Sequence, residues 1–427
     1  MSGQPEVGYV ELLRGNIQFR NLYIARLVSL LGDWFNLIAI LALLRSIGAD
    51  SASAFGGALI VKALPSVVVT PWAGDLADRF SRKGIMLMSD VLRAFVVFGL
   101  FIVLWFPSVP LVYALMVLQA ALAGFFEPAR SALLPDIVKP EELTAANALG
   151  AATWSAMLTI GTALGGIFTA FLGWKLALVV DIGSYLLSAW FLLRVIEPPL
   201  PEHPKSTKGM SAYGEGLRFM IQRPAIWTMA TVKVGWNCVG AVTLMLTILG
   251  ERQYTIAENA IMGASFFYMM RGLGTGIGPI VSRYLSGSDP VKMERMIGWS
   301  FVWAALCYNT VPWLENAMWV GIAILLAHLG GATVWVFSTI RLQQLTPTAY
   351  RGRVFATEQA CFLIFFVLTN MGYGHVVDQG WLQADAALAV MGSTLLLPAF
   401  LWFIRQKTVS AIDLDPVKSR SDRLPSK

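Results

Sequence analysis

Among the titratable side chains inside long apolar runs of this chain are Arg26, Asp33, Lys62, Asp90, Arg93, Asp181, Lys233, Arg271 and His328. In hydrocarbon such a group costs several kcal/mol and turns toward the protein interior or a wet cavity, so each is a functional candidate. Asp33 and Asp181 lie deep enough to carry a proton, because burial and a nearby cation push a carboxyl's proton affinity in opposite directions. Asn36 shares the face of Asp33, and Arg26 lies two turns below it. At about 1.5 Å per residue, Asp33 and Lys62 sit roughly 18 and 17 Å from the same side of a core about 30 Å thick. That match predicts an intramembrane ion pair, with Arg26 and Arg93 as the other candidate partners of Asp33. Asp90, Arg93 and Arg271 lie nearer the ends of their runs and suit gates or structural pairs. Lys233, Trp236 and Asn237 share one helical face, as do His328 and Trp335.

Other chemistries find no support in the residues. His203, His328 and His375 have no second ligand at metal-binding spacing and no nucleophile beside them, so no metal, no cofactor and no membrane-embedded enzyme is expected. Cys238, Cys307 and Cys361 fall within apolar runs and read as packing residues. The net charge of +6 is spread over short loops, which argues against nucleic acid as a partner.

The elements that must hold these residues follow from composition. Of 427 residues, 56% are hydrophobic and 14% charged, too few to cover a water-facing surface. The partner implied is a lipid bilayer. The first twenty residues are polar, and the first apolar run is too long for a signal-peptide core. Twelve apolar runs of spanning length then follow: Asn21–Leu44, Ser53–Ala73, Gly84–Phe106, Val109–Phe126, Ala145–Phe171, Trp174–Val195, Ile226–Leu249, Asn259–Ile280, Met293–Trp313, Ala317–Ile340, Val354–Val377 and Ala384–Ile404. With the amino terminus inside, 24 of the 32 Lys and Arg lie in inner segments, while only Arg45, Lys175 and Arg252 lie in outer loops. This distribution predicts a multi-pass protein of the cell (inner) membrane with both termini cytoplasmic.

A polar stretch at 196–225 separates two six-span bundles, at 21–195 and 226–404, with polar ends at 1–20 and 405–427. Pro198, Pro199, Pro201 and Pro204 stiffen its start, and Gly214–Gln222 reads as a short helix on the inner membrane face. The halves echo one another. Gly74, Asp78 and Arg79 recur as Gly278, Ser282 and Arg283, and Arg130 with Pro135 as Arg341 with Pro347. Such repeats are expected of transporters that rock two halves about a central site.

Gly74-Asp-Leu-Ala-Asp78-Arg79-Phe-Ser-Arg82-Lys83, between spans two and three, resembles the signature loop of the major facilitator superfamily. Ser81 departs from it, standing where that family usually has Gly. Glu127, Pro128 and Arg130, with Arg351-Gly352-Arg353, are similar to the branch that holds macrolide and siderophore (enterobactin) exporters and the lysophospholipid transporter. Gly161 to Gly166 resembles an antiporter signature, but Thr162 replaces its Pro.

The resemblance implies an all-α membrane protein of twelve transmembrane helices in two pseudo-symmetric bundles, acting as a monomer. Spans one, four, seven and ten would line a cavity offering Asn36, Gln119, Lys233, Trp236, Asn237, His328 and Trp335. At the inner gate, Arg82 would reach Glu127, and Asp78 would face span eleven near Arg353 to Glu358. The activity implied is proton-coupled efflux of a small amphiphilic, drug- or siderophore-like compound. Lysolipid movement and uptake of a small metabolite are the alternatives.

Overall fold

The computed structural model describes residues 8–139, 142–199, 211–256, 258–286 and 289–413. Its helices group into twelve rods. The first four are α1 (Ile17–Ser46), α2 (Ala52–Arg79), α3 (Arg82–Gly99, continued by a tighter turn over Leu100–Leu104) and α4 (Val109–Ile137). Leu143–Leu193 is divided into α5 and α6 by Gly173, whose φ of +82° only glycine adopts without strain. In the second half, α7 is a broken rod of Pro224–Trp236, Asn237–Val239, Val242–Ile248 and Leu249–Gln253. It is followed by α8 (Ala260–Ser286), α9 (Pro290–Thr310), α10 (Ala317–Leu345), α11 (Thr348–Asp378) and α12 (Ala384–Thr394 with Leu396–Asp413). Among the described residues, eight stretches are apolar and long enough to cross a membrane on composition alone, and one of these, Ala152–Leu193, holds two rods. Short helices at Tyr9–Gly15 and Ser211–Ile221 lie outside the rods.

Polar side chains in the short loops start the rods. Asn16, Ser51, Ser81, Ser108, Asp289 and Asn316 each accept a hydrogen bond from a first-turn N–H group of α1, α2, α3, α4, α9 and α10. Each satisfies a backbone donor that would otherwise face hydrocarbon or headgroups unpaired. Ser81 therefore has a local reason to depart from glycine. It caps α3 and also donates to Glu197 Oε2 at 2.5 Å.

Without a hydrophobic force between helices in lipid, close backbone approach through small residues does much of the packing. α1 lies along α5 and α6 and meets α2 only briefly. A Cβ on Gly274 of α8 would come 2.2 Å from the Leu325 carbonyl oxygen of α10. The echoed Ser282 hydroxyl bonds that of Thr333 about two turns further along the same pair.

The two halves are clasped at the face opposite the basic loops. There Arg45 lies 3.9 Å from Glu251, Arg252 donates to the Asp50 carbonyl at 2.8 Å, and Asp378 accepts from the N–H groups of Ala52 and Ser53 at 2.7 and 2.8 Å. α5 and α8 touch near mid-depth, where a Cβ on Gly272 would lie 2.8 Å from the Thr159 nitrogen. At the basic face, Arg341 pairs with Glu294 within the second half, and Arg353 of that half pairs with Glu215 of the short helix before it, each at 2.8 Å.

Gly274→Ala should lower the thermal stability of the purified protein by about 1–3 kcal/mol through overpacking. Gly183→Ala, where an added Cβ meets nothing within 4 Å, should leave it unchanged. Heating followed by size-exclusion chromatography of the surviving fraction reads both.

Candidate functional site

The densest polar cluster lies inside the first half, where α1, α3, α4 and α6 converge. Arg93 is its hub. The guanidinium, 1% exposed, pairs with Asp90 one turn back and lies 3.7 Å from Asp33 Oδ1. It stacks over the rings of Tyr185 and Phe126 at 4.4 and 5.3 Å. Tyr185 donates its hydroxyl to Asp33 at 2.7 Å and accepts from Gln119 at 3.0 Å. Ser188 donates to Asp90 at 2.6 Å, and Asn36 donates to Asp181 at 2.8 Å. Asp90 and Asp181 are fully buried, whereas the Asp33 side chain keeps 26% of its surface exposed.

Lys62 lies at the depth of Asp33, but its ammonium donates to the Asp33 backbone carbonyl at 3.1 Å. The carboxylate turns the other way, to Tyr185 and Arg93, in place of the expected Asp33–Lys62 ion pair. The reason is the packing of α1 along α6, which aims the side chain of Asp33 away from α2.

Two turns below Asp33 on α1, a cavity of about 300 Å³ opens between α1, α4 and α5. Arg26 and Glu127 meet across it at 2.6 Å, and Arg130 bonds Glu127 at 3.0 Å. Tyr23, Thr153 and Trp154 complete its polar and aromatic lining.

The cavity residues expected from the sequence are differently placed. Asn36, Gln119, Lys233, Asn237 and His328 are buried and bonded to other side chains or to backbone. Lys233 pairs with Glu358 of α11 at 3.0 Å and lies 4.4 Å from the ring centre of Trp335. Asn237 donates to the Phe362 carbonyl at 2.7 Å, at the break in α7. His328 shares a hydrogen bond with the Tyr308 hydroxyl at 3.0 Å, and Trp236 packs against His328 and Phe301. In a medium without water, polar side chains satisfy one another before they line a space.

The gate also differs. Arg82 reaches Asp136 and the Ala132 carbonyl, not Glu127. Glu127 lies nine residues from Asp136 on α4, about 13 Å deeper at 1.5 Å per residue. Lys83 donates to the Leu193 carbonyl at 2.8 Å. The side chains of Gly74, Asp78 and Arg79 lie outside the described residues, and so does the expected approach of Asp78 to α11.

Tyr185, Ser188 and Glu358 complete these clusters without having been singled out in the sequence. Glu358 carried the same signal as Asp33, an acid within an apolar run. Tyr185 and Ser188 carry no charge and look like any other residues of a packed span. The Lys233–Glu358 pair makes a separate prediction. Lys233→Met or Glu358→Leu alone should cost about 3–5 kcal/mol of stability, and the double variant clearly less, because each single change strands a buried charge. Thermal unfolding of the three purified variants is the measurement.

A family model described as the Major Facilitator Superfamily matches residues 22–369. The uncharacterized MFS-type transporter YfiS of Bacillus subtilis (strain 168) is 24% identical over 93% of this chain and 95% of its own length. "Putative bacilysin exporter BacE" of the same strain is 29% identical over 78% of this chain and 82% of its own. Among solved structures, a POT family transporter in complex with 5-aminolevulinic acid superposes with a TM-score of 0.72 at 11% identity, covering 94% and 97% of the two chains. An inward-facing bacterial homologue of the iron transporter ferroportin gives 0.69 at 16% identity, covering 92% and 98%. With the family's fold present in full and its model matched over most of the sequence, the chain is a multi-pass secondary transporter, not an enzyme, and it belongs to the Major Facilitator Superfamily.

Proposed function

We propose that the protein exports a small amphiphilic organic compound in exchange for protons, by alternating access of a central cavity. Charge balance around Asp33 carries this reading. Three carboxyls, Asp33, Asp90 and Asp181, face two cations, Arg93 and Lys62, in one membrane-buried cluster. One proton neutralises the set, and Asp33 is the carboxyl with exposed surface to receive it.

Protonating Asp33 removes the charge that draws Arg93 toward α1 and leaves the guanidinium to Asp90. Arg93 rests on Phe126, the neighbour of Glu127, and Glu127 holds Arg26 on α1. The proton site and the cavity therefore share two helices and one chain of contacts. The cavity mixes Arg26, Glu127 and Arg130 with Tyr23 and Trp154, which suits a molecule with both polar and aromatic parts.

The basic loops mark the cytoplasmic face by the positive-inside rule, which places both termini inside. On that orientation the clasp of Arg45, Glu251, Arg252 and Asp378 closes the outer side, and this conformer faces inward. Export requires the clasp to open. Similarity to the "Putative bacilysin exporter BacE" supports the outward direction.

Inverted membrane vesicles, energised by a pH gradient and offered amphiphilic dyes, siderophores and lysolipids, test the reading. Gradient-driven accumulation should fall at least about tenfold in Asp33→Asn while protein levels hold, as for loss of an essential proton carrier. A variant that responds fully to the gradient removes Asp33 from coupling. Accumulation of lysolipids alone would assign a lipid cargo.

A further inference from the structure

Arg271 stands at the middle of α8, on the face that carries the buried residues Phe267, Tyr268, Gly274 and Gly278. Its guanidinium thus points into the protein and away from lipid. One amino group donates to the Thr243 hydroxyl, just past the break in α7. Its Nε is buried without a hydrogen-bond partner.

No carboxylate among the described residues lies within ion-pair reach of this cation. Three acids of the same half are engaged elsewhere: Glu251 with Arg45 at 3.9 Å, Glu294 with Arg341 at 2.8 Å, and Glu358 with Lys233 at 3.0 Å. The groups around Arg271 are neutral and already occupied. Tyr268 shares a hydrogen bond with Thr247 at 2.6 Å, and Tyr308 shares one with His328 at 3.0 Å. An arginine does not shed its proton, so the charge remains, and an uncompensated charge at this depth is costly.

We infer that Arg271 is the docking point for an oxyanion, a carboxylate or phosphate group, on the transported molecule. The inference rests on the transport reading above and narrows the cargo to amphiphiles with an anionic end. The guanidinium presents Nε and a terminal amino group side by side, the fork that matches two oxygens of such a group. Bound cargo would supply the counter-charge that the described residues do not, and the tie to Thr243 would carry the event to the broken helix α7.

The test uses the full chain in lipid nanodiscs, without any proton gradient, and reads thermal unfolding. Dansylglycine and its carboxamide differ in charge but hardly in size. Lysophosphatidate and inorganic phosphate distinguish a lipid headgroup from a free anion. Dansylglycine or lysophosphatidate should stabilise the protein, and the carboxamide should not. In Arg271→Gln the apparent affinity should fall by roughly thirtyfold or more, as for loss of one partner of a buried charge pair. Arg271→Lys should keep part of the response. The unliganded Arg271→Gln protein should be at least as stable as wild type, because the charge removed had no counter-charge among the described residues.

Equal stabilisation by carboxylate and carboxamide, an undiminished response in Arg271→Gln, or no response to any of the four probes would overturn the inference. So would a loss of stability in the unliganded variant, which would mean that the protein itself neutralises Arg271. A response to inorganic phosphate alone supports the oxyanion site with a free anion as its ligand. With no gradient present, failure of proton coupling and failure of anion docking are read separately.

Discussion

A charge buried in a membrane protein has to be answered by another charge, a proton or a ligand, and Arg93 is where this molecule meets that constraint most completely. It ties α1 to α3 through Asp33 and Asp90, and its two ring contacts bring α4 and α6 into the same cluster. Taking away one charged partner in such a set leaves the others exposed to low dielectric, which makes the cluster cooperative. It also makes the cluster responsive. The sum of carboxyls exceeds the sum of cations, so on the proposed reading one exchangeable proton completes its charge balance.

The second half solves the same problem in other ways. Lys233 and Glu358 neutralise one another under Trp335, a closed pair that joins α7 to α11. At the break in α7, Asn237 bonds the Phe362 carbonyl of α11, and Asn370 of α11 bonds the Gly240 carbonyl, a group that an intact α7 would have satisfied itself. Arg271 has no charged answer among the described residues. The halves therefore repeat in backbone but divide the electrostatics, with surplus negative charge in the cluster around Arg93 and, among the described residues, an unmatched cation in the other half. A transporter that binds cargo between two such halves gains affinity and selectivity from both.

Much of this was legible in the sequence because the bilayer restricts what a chain can do. Apolar runs of spanning length, capped by Ser, Asn or Asp, leave little freedom in helix count, and charges within them announce themselves. Depth was legible too. Lys62 reaches the carbonyl of Asp33 itself, so the counting of residues from the membrane face placed the two together. Azimuth was not. Whether Asp33 points at α2 or at α6 depends on which helices α1 lies along, and that is decided by small residues such as Gly32, where a Cβ would meet Ser184 and Asp181. Neutral partners were hidden for a different reason. Tyr185 and Ser188 are ordinary residues of an apolar helix until a carboxylate and a guanidinium stand beside them. The spacing of Arg82 and Glu127 suggested one gate contact, but the intervening turns of α4 gave Arg82 a nearer acid in Asp136.

The claim on which the account depends is that Asp33 belongs to a cluster with one exchangeable proton. Infrared difference spectroscopy of the purified protein during a pH titration measures this without knowledge of the cargo. Acidification should produce the carbonyl band of a single protonated carboxyl in wild-type protein, and that band should be absent from Asp33→Asn. A band that persists unchanged in the variant, or no titrating carboxyl in the wild type, would contradict it.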